Sequence, residues 1–168
     1  MAAGVRVPAL DGGTVDPLAD RGAKAVILVF TRSDCPISQR YAPEIERFRT
    51  LFEPFSMRFW LVFVDPNEPE EAIRRTVKDY GQRSGVLLDR HHDLVKLAGP
   101  VVTPEAAVYV DGTLVYRGRI DDRYVAFGKA RSSPTVRDLE QVLNDIAAGR
   151  AVTPRTTHAI GCFIEDLK

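Results

Sequence analysis

Between residues 25 and 36 the sequence passes from a continuous apolar run to a cysteine followed by a proline. The run at 25–30 is typical of a central strand covered on both faces. From Pro36 onward, apolar side chains recur at spacings of four and three, which predicts one buried face of a helix with proline in its first turn. These side chains are Ile37, Tyr41, Ile45, Phe48 and Phe52. Cys35 therefore lies at a helix start, where unpaired N–H groups and the helix dipole stabilise a thiolate. We expect it to be a nucleophile.

Length and charge limit the classes of function. The chain has 168 residues, and 23 basic residues balance 23 acidic ones. We expect one domain with no basic field for nucleic acid or an anionic membrane surface. No apolar stretch reaches the roughly 18 residues of a membrane span, and no basic then apolar leader opens the sequence. We expect a soluble protein, and its compartment stays open, because a leader removed beforehand would be compatible with an extracytoplasmic location.

Strand-like and helix-like segments alternate along the rest of the chain. The sequence predicts a short extended hairpin at 5–15, a buried strand at 57–64, a helix at 69–81, a short strand at 85–88, a helical turn at 94–98, a β-hairpin about Asp111-Gly112 and a last helix capped by Ser133-Pro134 and ending before Gly149. The prediction is an α/β domain over 1–149, followed by a tail over 150–168 without periodicity.

Two prolines keep a characteristic distance and order relative to the cysteine. Pro43 lies eight positions after Cys35, and Thr103-Pro104 precedes the terminal hairpin and helix. This arrangement resembles the thioredoxin-like superfamily, and the segment 34–44 resembles its redoxin branch, which is grouped with alkyl hydroperoxide reductase and thiol-specific antioxidant proteins. The resemblance implies a central mixed β-sheet flanked by helices and a redox-active cysteine that needs no cofactor. It also implies a cis proline facing the catalytic sulfur, with Thr103 offering backbone hydrogen bonds to an extended substrate.

The chain departs from the resemblance at two motifs. Ser38 stands where thioredoxins carry the second cysteine of Cys-x-x-Cys, so the local dithiol cycle cannot run. Peroxiredoxins place proline seven positions and threonine or serine three positions before their cysteine, where this chain has Leu28 and Arg32. A peroxide reductase is therefore an alternative and not the first expectation.

The second cysteine of the chain is Cys162, near the chain end. It is a candidate resolving thiol that attacks the mixed disulfide or sulfenic acid formed on Cys35. A permanent disulfide that pins the tail is an alternative, with a stabilisation of about 4 to 5 kcal/mol in the chain-entropy model. A free thiol, an intermolecular bridge and a metal pair are the others.

Charges near the predicted nucleophile act in opposite directions. Arg32 and Arg40 favour a thiolate, whereas Asp34 opposes it. Polar residues from two parts of the chain are expected to support the site, and an inert buried thiol is the structural alternative. The supporting residues are Arg32, Ser38, Arg40, Arg119 and Asp121.

Three histidines raise the question of a metal. His91 and His92 lie in a polar loop, for which exposure to solvent is the expectation. His158 precedes Cys162 by four positions, a spacing that copper or zinc can use. No Cys-x₂₋₄-Cys pair accompanies it. We expect no metal and no cofactor.

The sequence thus predicts a thiol-disulfide oxidoreductase with Cys35 as nucleophile, Cys162 as resolving thiol and Thr103-Pro104 facing the substrate. Its partners would be a protein disulfide or thiol, or a small peroxide, and a thiol electron donor. One alternative is a peroxiredoxin-like antioxidant peroxide reductase. A second is a non-enzymatic copper-binding or structural thioredoxin-like module.

Overall fold

A six-stranded mixed β-sheet forms the centre of the computed structural model, which describes residues 4–165. The strands are β1 Val7–Pro8, β2 Thr14–Val15, β3 Ala25–Thr31, β4 Met57–Phe63, β5 Gly85–Leu88, β6 Val102–Thr103, β7 Glu105–Val110, β8 Thr113–Gly118, β9 Tyr124–Ala126, β10 Lys129–Ala130, β11 Arg155–Thr156 and β12 Cys162–Phe163. The helices are α1 Pro36–Phe52, α2 Glu70–Asp79, α3 Asp93–Ala98 and α4 Asp138–Ala147.

The strand order in the central sheet is β11-β8-β7-β3-β4-β5. Strand β3 pairs in parallel with β4 and antiparallel with β7, so it lies in the interior of the sheet. The predicted hairpin forms as β7 and β8, and the predicted N-terminal hairpin forms as β1 and β2. The predicted mixed α/β class is confirmed.

The apolar run of β3 supplies both layers of the core. Its alternate residues Ala25, Ile27 and Val29 join a cluster with side chains of α1 and α4 on one face of the sheet. Val26, Leu28 and Phe30 join a second cluster with α3 on the other face. Because side chains of a strand alternate between faces, a strand covered on both sides must be apolar throughout. This explains why the run has no polar interruption.

The last helix begins later than the sequence predicted. Ser133-Pro134 does not cap it, because α4 starts at Asp138. The carboxylate of Asp122 accepts hydrogen bonds from the backbone N–H groups of Thr135 at 2.6 Å and Val136 at 2.9 Å. These bonds hold the segment as a loop, and the prediction of the helix start was wrong.

The tail, for which the sequence predicted no elements, contributes two short strands. Strand β11 extends the central sheet by pairing in parallel with β8. Strand β12 pairs antiparallel with β6, apart from the central sheet. The tail therefore runs from the sheet edge to the loop that contains Thr103-Pro104. The ends of the two predicted units, residues 1–3 and 166–168, lie outside the described residues. Within 4–165, no helix has the length and apolar character of a membrane span.

Candidate active site

Cys35 is the N-cap residue of α1. Its backbone is extended, with φ −88° and ψ 113°, and its Sγ accepts a hydrogen bond from the backbone N–H of Ser38 at 3.5 Å. The sulfur thus takes the place that a serine or aspartate oxygen commonly has at a helix N-terminus. Pro36 occupies the first helical position, where its missing N–H has no cost. The residue is 1% exposed.

The loop before β7 closes over the sulfur. The peptide bond between Thr103 and Pro104 is cis, and the thiol of Cys35 donates a hydrogen bond to the Thr103 carbonyl oxygen at 3.3 Å. Thr103 is fully buried, and its hydroxyl has no hydrogen-bond partner of normal geometry among the described residues. The sulfur therefore lies between a helix N-terminus and the backbone of the proline loop.

Cys162 reaches the same place from the tail. In the pairing of β12 with β6, Cys162 lies opposite Thr103 and Phe163 lies opposite Val102. The thiol of Cys162 donates a hydrogen bond to the sulfur of Cys35. Both cysteines are free thiols in this structure. Two residues separated by most of the chain are thus brought into direct contact.

The two sulfurs have opposite tendencies to ionise. Burial raises the pKa of Cys35, but hydrogen bonds from Cys162, from the hydroxyl and N–H of Ser38 and from Thr103 outweigh it, and the net pKa is lowered. For Cys162, burial, the hydrogen bond to Cys35 and the charge of Cys35 raise the pKa to about 12. When the pair loses its first proton, Cys35 therefore holds the negative charge and Cys162 keeps its proton as the donor.

Gly161 allows the tail backbone to approach this closely. A Cβ atom at this position would collide with the carbonyl oxygen of Thr103 and lie 2.8 Å from its carbonyl carbon. Beyond the cysteine, the N–H of Ile164 donates to the carbonyl oxygen of Val101 at 3.0 Å, and the Ile164 side chain is buried. Ala159 is buried before it. Segment 159–164 therefore covers the proline loop and excludes solvent from Cys35.

The predicted supporting residues of α1 and its preceding loop lie in different environments. Arg32 pairs with Asp34 at 3.1 Å and with Asp65 at 3.5 Å, so its charge is largely neutralised by carboxylates. Its remaining positive field lowers the pKa of Cys162. Ser38 is buried, and although its hydroxyl forms no hydrogen bond of normal geometry within 4–165, its dipole lowers the pKa of Cys35. Arg40 is exposed on α1.

Arg119 and Asp121 are engaged elsewhere. The guanidinium of Arg119 donates to the buried carboxylate of Asp138 at 2.7 Å, and Asp121 accepts a hydrogen bond from the Tyr41 hydroxyl at 2.5 Å. These contacts join the loop after β8 to α4 and α1. Within residues 4–165, neither side chain forms a hydrogen bond to a cysteine sulfur.

A buried ion pair behind the proline loop was missed by sequence reasoning. Glu105 is 2% exposed, lies 3.3 Å from the guanidinium of Arg117, and accepts a hydrogen bond from the N–H of Val101 at 3.2 Å. Arg117 also donates to the carbonyl oxygen of Gly99 at 2.5 Å. Together they hold both ends of the segment that leads to Thr103. A glutamate inside an otherwise apolar strand, directly after Thr103-Pro104, was the available signal.

A groove of about 520 Å³ lies beside Cys162. Its wall includes large apolar side chains with unusual exposure, namely Val101 at 47%, Phe127 at 67% and Phe163 at 77%. Arg32 and other polar groups also line it. The cysteine facing this open space is therefore Cys162, whereas Cys35 lies behind it.

The histidines differ from one another. The prediction of solvent exposure is wrong for His92, which is buried with its Nε2 atom 2.7 Å from the carbonyl oxygen of Val64. Its backbone is left-handed, with φ 58°, and this conformation turns the ring toward the protein. His158 lies in the groove wall with Cys162. In the part of the chain that the structure describes, no group of three or more His, Cys, Asp or Glu side chains is placed to hold a metal ion.

Comparisons with other proteins bear on the fold. No protein-family model and no curated protein sequence matches the chain. Among solved structures, a hypothetical protein from Sinorhizobium meliloti has a TM-score of 0.83 at 22% identity, covering 98% of this chain and 91% of that chain. An uncharacterized conserved protein from Geobacillus kaustophilus has a TM-score of 0.83 at 20% identity, covering 97% and 88%. A secreted disulfide oxidoreductase from Mycobacterium tuberculosis has a TM-score of 0.61 at 18% identity, covering 86% and 95%.

These likenesses establish the fold, and their low identities carry no more than that. The chain has the thioredoxin-like fold. Cys35, Thr103-Pro104 and the helix that begins at Pro36 occupy the arrangement that the resemblance implied.

Proposed function

We propose that this protein is a thiol-disulfide oxidoreductase in which Cys35 and Cys162 form the redox pair. The observation that carries the proposal is the direct hydrogen bond between the two thiols at the N-terminus of α1. A disulfide-exchange pair needs one sulfur that ionises readily and a second within bonding reach. The lowered pKa of Cys35 meets the first requirement, and the position of β12 meets the second.

Cys35 acts first in the proposed cycle. Its thiolate attacks one sulfur of a substrate disulfide, the substrate S–S bond breaks, and the departing substrate thiolate takes a proton from solvent. A mixed disulfide between Cys35 and the substrate remains. The N–H of Ser38 stabilises the thiolate before attack, because the helix N-terminus favours negative charge.

Cys162 then resolves the mixed disulfide. Its thiolate attacks the Cys35 sulfur, which releases the second substrate thiolate and forms the Cys35–Cys162 disulfide. In the reduced protein the charge of Cys35 raises the pKa of Cys162. That charge disappears when Cys35 enters a disulfide, so Cys162 ionises more readily at the step that needs its thiolate. A thiol donor returns the pair to the reduced state.

A protein disulfide is the proposed substrate, and the tail has to lift to admit it. Strand β12 occupies the exposed edge of β6, which is the edge where an extended substrate segment would pair with Thr103. The solved disulfide oxidoreductase with the same fold supports this substrate class. Segment 159–164 would leave the proline loop during substrate binding and return with Cys162 for resolution.

A peroxide reductase is the second candidate, and the burial of Cys35 favours it. At 1% exposure, the sulfur under the closed tail is accessible to small molecules rather than to a protein. The thiolate would attack the O–O bond, forming a sulfenic acid and releasing water or an alcohol. Cys162 would then attack the sulfenic sulfur, releasing water and forming the same disulfide.

Two assays separate the candidates. Reduction of insulin disulfides with dithiothreitol as donor, and consumption of hydrogen peroxide with the same donor, are measured for the wild type and for Cys35→Ser. Serine is a good N-cap residue, so the variant is expected to fold. We expect insulin reduction that Cys35→Ser loses. Turnover of peroxide alone would favour the second candidate, and the absence of both Cys35-dependent activities would refute both.

A further inference from the structure

We propose that the thiol donor attacks Cys162, from the apolar groove beside β12, and that Cys35 is the leaving sulfur. This inference rests on the Cys35–Cys162 disulfide of the proposed function. It assigns the two halves of the cycle to different sulfurs, because the substrate would be attacked by Cys35 and the donor would be received by Cys162.

The first argument is the direction of approach. A thiolate attacks a disulfide sulfur along the line of the S–S bond, from the side opposite the leaving sulfur, so access on that side selects the sulfur that reacts. Behind Cys35 lies the apolar core, since its side chain belongs to the cluster that contains Ile37, Val29 and Ala106. Attack on Cys35 is therefore blocked by packed side chains.

Cys162 is open on the corresponding side. It is half-buried, and it lies in the wall of the 520 Å³ groove, whereas Cys35 does not line that groove. A donor thiolate that enters the groove reaches the Cys162 sulfur without any movement of α1. The tail can remain closed during reduction of the disulfide.

The second argument is the stability of the leaving sulfur. Disulfide exchange is faster when the leaving thiol is more acidic. When the bond breaks, Cys35 returns to the N-cap position, where the Ser38 N–H stabilises its charge. Departure of Cys162 would instead place the charge on the sulfur whose pKa is raised. Access and charge stabilisation therefore select the same direction.

The groove wall indicates the chemical class of the donor. Val101, Phe127 and Phe163 expose apolar surface around the sulfur, and isolated apolar side chains of this size are usually covered when they border a reactive group. The occupant to which we commit is a dithiol protein with apolar side chains next to its reactive cysteine. A small, strongly charged thiol would leave these side chains in water.

The electron balance of the step is as follows. The donor thiolate bonds to the Cys162 sulfur, the Cys35–Cys162 bond breaks, and Cys35 leaves as a thiolate. The second thiol of the donor, as thiolate, then attacks the donor sulfur of the mixed disulfide. Cys162 is released and takes a proton, and the donor keeps an internal disulfide. Two electrons pass from the donor to the cysteine pair.

The location of the mixed disulfide tests the proposal. Wild-type protein is oxidised with diamide and mixed briefly with benzyl mercaptan, an apolar monothiol used as the probe. The reaction is quenched in acid, the remaining free thiol is alkylated under denaturing conditions, and peptides are analysed by mass spectrometry. We expect the benzylthio group on Cys162 and the alkyl group on Cys35 at the earliest times. The reverse distribution would overturn this inference while leaving the proposed function intact. Failure to form the internal disulfide would instead overturn the proposed function.

A groove variant with a matched control tests the donor class. Phe127 is 67% exposed between β9 and β10, so Phe127→Ser removes groove surface without opening the core. We expect reduction of the disulfide by benzyl mercaptan to slow by about three- to tenfold, with a smaller effect on reduction by 2-mercaptoethanol. Phe55→Ser changes an aromatic side chain of 47% exposure that does not line the groove, and it serves as the control. Equal rates in the two variants would refute the apolar donor site.

Discussion

The two cysteines of this chain have the same side chain and opposite environments. Cys35 lies at the end of a buried strand, is almost fully enclosed and has a lowered pKa at a helix N-terminus. Cys162 lies on a two-residue strand of the tail, faces a groove and has a raised pKa. The difference shows that ionisation and access have been separated. The sulfur that ionises is hidden, and the sulfur that is accessible keeps its proton.

The largest expected effect comes from removing the ionising sulfur. We expect Cys35→Ser to reduce insulin reduction by at least about 100-fold, because an alcohol at this position has no nucleophilicity comparable to a thiolate. The serine hydroxyl can still cap α1, so the urea midpoint is expected to stay close to that of the wild type. Unchanged activity in a folded Cys35→Ser variant would mean that Cys162 is sufficient by itself.

The next effect comes from removing the accessible sulfur. We expect Cys162→Ser to form the mixed disulfide with substrate and to accumulate it, because no internal thiol can attack Cys35. Electrophoresis under non-reducing conditions measures the adduct, and we expect at least about a tenfold increase over the wild type. Ser33→Ala, a change in the loop before α1, is the control that leaves both thiols in place. An adduct that resolves at the wild-type rate in Cys162→Ser would show that Cys162 has no resolving role.

Loosening the tail should have an intermediate effect. Gly161→Val places side-chain atoms against the backbone of Thr103, and we expect a loss of about 1 to 3 kcal/mol in the free energy of unfolding. Local release of the tail should also speed alkylation of Cys35 severalfold in a Cys162→Ala background. Gly22→Ala is the matched control, since its new Cβ would meet a single carboxylate oxygen at 3.4 Å. Alkylation at the rate of the control would mean that the tail does not limit access to Cys35.

The smallest effects concern the pKa of Cys35. Hydrogen bonds from Cys162 and Ser38 stabilise the thiolate and lower this pKa, so removing either donor should raise it. We expect the thiolate absorbance at 240 nm to appear below the pH of an ordinary cysteine in the wild type. It should move to higher pH in Cys162→Ala, and by less in Ser38→Ala, because the Ser38 backbone N–H remains.

Arg40→Ala is the control for this titration, because the side chain is exposed on the same helix. Its titration is expected to match that of the wild type. A larger shift in Arg40→Ala than in Ser38→Ala would mean that long-range charge, and not local hydrogen bonding, sets the pKa of Cys35.

Much of the fold could be predicted because its signals are local. The run of β3, the periodicity of α1 and the turn at Asp111-Gly112 each depend on neighbours within a few positions, and the structure confirms these elements. The start of α4 was mispredicted because a distant carboxylate, that of Asp122, binds the backbone near Val136. Such a competition between local capping and a long-range hydrogen bond has no local signature.

The site divides in the same way. The placement of Cys35 at a helix N-terminus follows from the order of a buried strand, a short loop and Pro36, so the sequence alone was enough to identify a thiol whose ionisation the helix favours. The contact between Cys35 and Cys162 required the folded tail. It depends on the pairing of β12 with β6 and on the absence of a side chain at Gly161, since a chain segment with no periodicity of its own takes its path from the surfaces it meets.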